Sequence, residues 1–231
     1  VSDAAKAAAA RTVKSYVIRS GRMTDAQKEA YAALLPRYGI DPGDWPPDPR
    51  SLFPGAVRVI VEIGFGMGAA TLEMAAAQPE TGFIGIEVHR PGIGKLMMEA
   101  ERLGLNNLRV AEGDAIGILE NCLIPGSLDG IHLYFPDPWP KKRHHKRRIV
   151  QAGFCALAAS RLRPGSGYIH MVTDDKDYAE AALAAFEAEP LLANAGHGFI
   201  ERPAWRPLTK FERRALDKGQ ASYDMLFTRR A

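Results

Sequence analysis

Two cysteines, Cys122 and Cys155, are the only thiols in 231 residues. They are too few and too separated for a zinc site or a disulfide framework, which suits a reducing cytoplasm. No apolar run approaches the roughly 20 residues that span a bilayer, so no membrane segment is expected. The opening VSDAAKAAAAR is rich in alanine, but Lys6 and Arg11 interrupt it, and it does not read as a secretory signal. Internal repeats are absent. The net charge is only +3, so the global balance says little about partners. Its distribution says more. Between Lys141 and Arg148, KKRHHKRR holds six fixed positive charges and no acid.

The remaining composition is that of a globular chain, with 46% apolar and 25% charged residues, and the length suits one core with an added terminal arm. Residues 1–22 carry Lys6, Arg11, Lys14, Arg19 and Arg22 against Asp3 alone. They read as a flexible basic arm, either simply solvated or adding to polyanion binding. Residues 23–55 come next. Thr24 is placed to cap a helix over MTDAQKEAYAALL, with Pro36 closing it, and DPGDWPPDPRSLFPG follows as an irregular linker.

From residue 56 to 231, strands and helices alternate. VRVIVEI (57–63) is a near-continuous β-branched run, as expected of a strand covered on both faces. After a glycine-rich turn and the helix ATLEMAAA come the strand GFIGIEV, the helix GIGKLMMEAERLG, and LRVAEGDA ending near Asp114. A short helix to about Cys122, a strand over 128–135, the helix IVQAGFCALAASRL, the strand GYIHMVTDD, a helix over 175–189 and a last strand in SYDMLFTRR complete the series. This alternation predicts a doubly wound, Rossmann-like α/β sheet with helices on both faces.

Gly64, Gly66 and Gly68 follow the first strand as G-x-G-x-G, a turn that lets backbone approach a ligand and aim N–H groups at it. The spacing departs from G-x-G-x-x-G, and a tight packing turn is the alternative. Glu87 closes the second strand about 20 residues on, where a carboxylate accepts from ribose hydroxyls or simply stands exposed. Glu62 lies inside the first strand, where a dinucleotide fold has an apolar residue. It can face the cationic amino-acid end of S-adenosylmethionine, which NAD lacks. Asp114 is placed to meet adenine. With Asp137 after the fourth strand, these acids line one carboxyl edge and favour a methyltransferase over a dehydrogenase.

The stretch IHLYFPDPWPKKRHHKRRIV organises the chain. Pro136 and Pro138 stiffen the backbone around Asp137 at a strand end, directly before the cationic run. EIGFGMG, GIEVHRPGIG, FPDPWPKKRHHKRR, HMVTDD and TKFERR resemble the bacterial tRNA (guanine-N7-)-methyltransferases. The match runs in order from about Val57 to the C-terminus and touches GRMTDAQ; residues 1–20 and the linker show none. The resemblance implies a class I methyltransferase fold with S-adenosylmethionine contacts at Glu62, Glu87, Asp114 and Asp137. It marks Asp137 as the active-site residue. Lys141, Asp174 and Thr209-Lys210-Phe211-Glu212 are then substrate contacts, and Arg143, His144, His145, Lys146, Arg147 and Arg148 touch RNA. Its product is 7-methylguanosine in the tRNA variable loop.

Plainer readings stand beside these. The cationic run is either a solvated face or a phosphate-binding surface. Trp139 either stacks on a base or seals its loop. His144 and His145 either meet RNA or stand exposed, while His89, His132 and His170 read as satisfied core histidines. One of Asp174 and Asp175 caps a helix, and Thr209 with Glu212 fits a capping box. No metal-ligand pattern is present. Monomer and homodimer are both compatible with the sequence, as are a methyltransferase of the same fold for another RNA or a small molecule, and a non-catalytic RNA-binding module.

Overall fold

The computed structural model describes residues 14–16, 23–41, 43–209, 212–213, 219 and 221–231. Most of the expected basic arm, with Lys210 and Phe211, lies outside the described residues. Helix α1 (Asp25–Tyr38) leads into β1 (Arg58–Ile63), α2 (Ala69–Ala77), β2 (Thr81–Glu87), α3 (Arg90–Arg102) and β3 (Leu108–Glu112). Next come α4 (Ala115–Asn121), β4 (Gly130–Tyr134), α5 (Ala152–Arg161), β5 (Tyr168–Thr173) and α6 (Lys176–Glu187). The chain ends with β6 (Leu192–Asn194) and β7 (Tyr223–Arg229). Among the described residues, one seven-stranded sheet runs in the order β3-β2-β1-β4-β5-β7-β6. Strands β1 to β5 pair in parallel, and β7 runs antiparallel to both β5 and β6. The order reverses between β1 and β4, which opens a ligand crevice at their carboxyl ends.

The β-branched run of β1 is apolar on both faces because both are covered. Val59, Val61, Ile131, Leu133, Ile169 and Met171 pack against α4, α5 and α6. Ile60, Phe83, Val110, Tyr134 and Val172 pack under α2 and α3, with Tyr38 of α1. Leu96 and Met97 of α3 are fully buried, each contributing about 1.5–3 kcal/mol by leaving water. No helix among the described residues is long and apolar enough to cross a membrane.

Three local expectations change. Helix α1 begins at the Thr24–Gln27 capping box but runs through Pro36 to Tyr38. Near the helix end proline removes only one ladder bond, and Arg37 and Tyr38, both bonded to Glu101, carry the last turn onward. The linker is partly ordered as a 3-10 turn over Pro49–Leu52, and buried Phe53 packs so closely on Gly82 that a Cβ there would lie 2.3 Å from its ring. The three-residue strand β6 had no periodic signal to announce it.

The histidines also divide. His170 is buried and satisfied, with Tyr134 at Nδ1 and Asp224 at Nε2. His132 is buried but only half satisfied: its Nε2 meets the Tyr168 hydroxyl at 2.9 Å, its Nδ1 has no partner, and Trp205 stacks on the ring. His89 is no core residue. It is half-buried at the crevice, because β2 ends at Glu87 and the chain turns outward before α3.

Candidate active site and nucleic-acid interface

A cavity of about 490 Å³ opens at the β1/β4 switch point. Gly64 and Gly66, Glu87, Gly113 with Asp114, and Phe135 to Asp137 line it from four successive strand ends. Gly64 and Gly66 have φ of 73° and 59°, a left-handed backbone that glycine adopts without a Cβ penalty. Their N–H groups are not free, however. Gly64 donates to the Ile86 carbonyl, Gly66 to the Glu87 carboxylate at 2.8 Å, and Gly68 to the Phe65 carbonyl. The turn therefore offers close approach more than open donors. Glu87 also accepts from the Val88 and His89 N–H groups, so one carboxylate joins the glycine loop to the β2–α3 turn.

Glu62 and Gly68 do not line this cavity. Glu62 is 3% exposed beneath the loop, where the Thr71 hydroxyl donates to it at 2.7 Å. Burial pushes its carboxyl up to about 7; the Thr71 bond opposes that shift and the Glu87 charge adds to it. Gly68 precedes α2 and packs on Leu96. Gly92, which the sequence reading passed over, presses on the loop from α3: a Cβ there would lie 1.9 Å from the Gly66 carbonyl oxygen. The signal was a glycine in the first turn of a helix, one residue after proline.

Asp114 lines the cavity and its side chain accepts from Ile116 N–H at the start of α4. Asp137 is exposed at the rim. It lies between two non-glycine residues of positive φ, Phe135 at 50° and Trp139 at 46°, a conformation costing roughly 1–2 kcal/mol per residue. Such strain persists only where neighbours over-determine the loop. Phe135 N–H donates to the Val172 carbonyl. Trp139 donates through Nε1 to the Ser15 carbonyl, carries the Arg147 guanidinium 3.8 Å from its ring centroid, and meets His144 edge-on. Trp139 thus packs its loop, as one of the two readings had it.

The cationic run folds as a 3-10 turn over Lys142–Arg147, and that turn sorts its charges. Lys141, Lys142, Arg143 and Lys146 are exposed. Arg147 donates to the Lys14 and Tyr16 carbonyls, and so holds the short described piece of the N-terminal arm beside the cavity, where Ser15 and Tyr16 line its wall. Arg148 is buried and paired with Asp177 at 2.6 Å. His144 and His145 are half-buried, and the His145 Nε2 lies 3.8 Å from Asp177.

Asp175 caps α6 by accepting from Tyr178 N–H, leaving Asp174 exposed at the end of β5. Thr209 accepts from Glu212 N–H, the helix-cap alternative. Glu212 is buried and held by Arg206 through two 2.6 Å bonds, while Arg206 also binds Asp224 of β7. Sequence reasoning missed Arg206, because an arginine without neighbouring acids in the chain reads as surface. Among the described residues no cluster of histidine, cysteine or acid could hold a metal ion.

A mixed sheet with its last strand antiparallel and a nucleoside-sized crevice at the switch point is the architecture of class I methyltransferases. A solved structure, the antibiotic-resistance methyltransferase Kmr, superposes with a TM-score of 0.57 at 15% identity, covering 83% of this chain and 94% of its own. TrmN from Thermus thermophilus matches at 0.54 and 17% identity, over 78% of this chain and 46% of its own. The model of a family described as putative methyltransferase matches residues 56–225. A tRNA (guanine-N(7)-)-methyltransferase from Nitrosomonas eutropha is 49% identical over 95% of this chain and 97% of its own length. One from Chromohalobacter salexigens is 48% identical over 95% and 90%. The chain belongs to the tRNA (guanine-N(7)-)-methyltransferase family.

Proposed function

We propose that this chain methylates N7 of a guanine in the variable loop of tRNA, giving 7-methylguanosine. The observation that carries it is a single cavity lined by Gly64, Gly66, Glu87, Asp114 and Asp137, directly beside the exposed Lys141, Lys142, Arg143 and Lys146. The donor set fits S-adenosylmethionine, which supplies the methyl group as a sulfonium. Glu87 suits the ribose hydroxyls, Asp114 the adenine amine, and Asp137 the end of the cavity where transfer occurs. Glu62 and Gly68 act on the glycine loop from behind.

Guanine N7 carries an in-plane lone pair and attacks without prior loss of a proton, so alignment and desolvation matter more than a strong base. The purine becomes cationic as the bond to the methyl carbon forms. Asp137 stabilises that charge or holds guanine by its N1–H and exocyclic amine. The exposed cations neutralise phosphates, Asp174 and Thr209 approach the substrate from the ends of β5 and β7, and Glu212 is anchored through Arg206.

The test is transfer of labelled methyl from S-adenosylmethionine to unmodified tRNA, with nucleoside analysis of the product. Label in 7-methylguanosine of the variable loop is expected, and Asp137→Ala should abolish it while the protein still folds. Label on another atom, or full activity in Asp137→Ala, would overturn the assignment.

A further inference from the structure

The last member of the cationic run does not share the exposed surface that Lys141, Lys142, Arg143 and Lys146 form. Arg148 is 4% exposed. Its Nε donates to the Pro138 carbonyl at 2.8 Å, and its Nη2 to Asp177 of α6 at 2.6 Å. Asp175 lies 3.9 Å away, and the guanidinium carbon sits 4.8 Å from the centroid of the Tyr178 ring. The Tyr178 hydroxyl in turn accepts from the N–H of Val150, two residues beyond the arginine. Pro138 immediately follows Asp137, and the residue after it, Trp139, is held at positive φ without being glycine.

We infer that Arg148 is a positioning residue that fixes the Asp137–Pro138–Trp139 turn onto helix α6, and that it contacts no phosphate. The inference rests on the reading of Asp137 above. The chemistry suits arginine specifically. A planar guanidinium can point one N–H at a backbone carbonyl, another at a carboxylate, and lay its face on an aromatic ring; an ammonium is a point charge and cannot do all three. With its Nε and Nη2 so engaged and its side chain out of solvent, it presents no charge at the surface where RNA would lie. Because proline lacks an N–H, the carbonyl of Pro138 is the one backbone hydrogen-bonding group at this position by which the turn can be gripped. Arg147 performs the complementary task on the other side, against the Trp139 ring and the Lys14 and Tyr16 carbonyls.

The two roles separate in kinetics. A displaced catalytic group lowers kcat, by about 10- to 100-fold for a shift near 1 Å. A lost phosphate contact flattens the salt dependence of tRNA binding by about 0.7–0.9 log units per decade of salt. Arg148→Lys keeps the charge and should still lose at least tenfold in kcat. Arg148→Gln should lose kcat while its salt slope stays that of the wild type. Lys146→Gln, at an exposed position, is the comparator that loses about one contact of slope. Asp177 is 71% exposed, so Asp177→Asn guards against a simple failure to fold. It should lower kcat several-fold with no change of slope. If Arg148 were a phosphate ligand, Asp177→Asn would free it, tighten binding and steepen the slope.

A kcat within about twofold of wild type in Arg148→Lys, a slope reduced by one contact in Arg148→Gln, or a steeper slope in Asp177→Asn overturns the inference. Asp137→Asn is measured alongside. Full activity there, beside loss in Arg148→Lys, would sink the reading of Asp137 and leave the brace standing. Loss in Asp137→Asn beside full activity in Arg148→Lys would sink the brace alone.

Discussion

Replacing Glu62 by glutamine should remove a pH-dependent penalty built into the floor of the glycine loop. Glu62 is buried, its one hydrogen bond among the described residues comes from the Thr71 hydroxyl, and its carboxyl is pushed up from 4.5 to about 7. In the unfolded chain the group ionises near its ordinary value. Between pH 4.5 and 7 the folded protein therefore holds a proton that the unfolded chain has released. Stability is full below this window and falls as pH rises through it, by about 3 kcal/mol in all. Glutamine has no such titration, and its amide oxygen still accepts from Thr71. His132 and His170, both depressed first by burial, act with the opposite sign, gaining stability as pH rises, but they are common to both proteins. The difference in unfolding free energy between wild type and Glu62→Gln, from urea titrations at pH 5, 6, 7 and 8, isolates the carboxyl. It should shift in favour of the variant by up to about 3 kcal/mol from the lowest to the highest pH. A difference that stays constant across the series would show that Glu62 is ionised in the fold, and the reasoning would fail.

Gly92→Ala places a methyl group against the Gly66 carbonyl and must displace the glycine loop, so S-adenosylmethionine affinity should fall at least tenfold in calorimetry, with the fold retained. Arg206→Met leaves Glu212 and Asp224 buried without their cation, and should destabilise the protein by about 3–5 kcal/mol in denaturant titration; a change below 1 kcal/mol would refute the anchor. Converting Lys141, Lys142, Arg143 and Lys146 together to glutamine should reduce the slope of log affinity for tRNA against log salt by up to roughly 3, while an unchanged slope would mean a merely solvated face.

Much of the architecture was legible in order. Strands wrapped on both faces have to be apolar throughout, and the helices between them have to carry one apolar stripe, so alternation alone predicted the wound sheet. The acids at 62, 87, 114 and 137 were legible for the same reason: each is a polar residue at or near a strand's carboxyl end, where a parallel sheet opens. What alternation did not carry was direction at the finer scale. Glu62, inside β1, turns beneath the loop to the Thr71 hydroxyl, whereas Glu87, the last residue of β2, stays at the cavity wall on the Gly66, Val88 and His89 N–H groups.

The sequence by itself determined the strand order's raw material, the glycine turn, the proline-stiffened turn at Asp137 and a dense cationic run, because these depend on residues close together in the chain. The tertiary structure alone decided which cations face solvent, that Arg148 serves helix α6, that Ser15 and Tyr16 reach the cavity, and that Glu212 anchors on Arg206. Those outcomes depend on partners such as Asp177 and Asp224, brought beside their arginines only when the sheet closes. A buried charge has to find its counter-charge wherever the fold puts one. No local pattern records where that is.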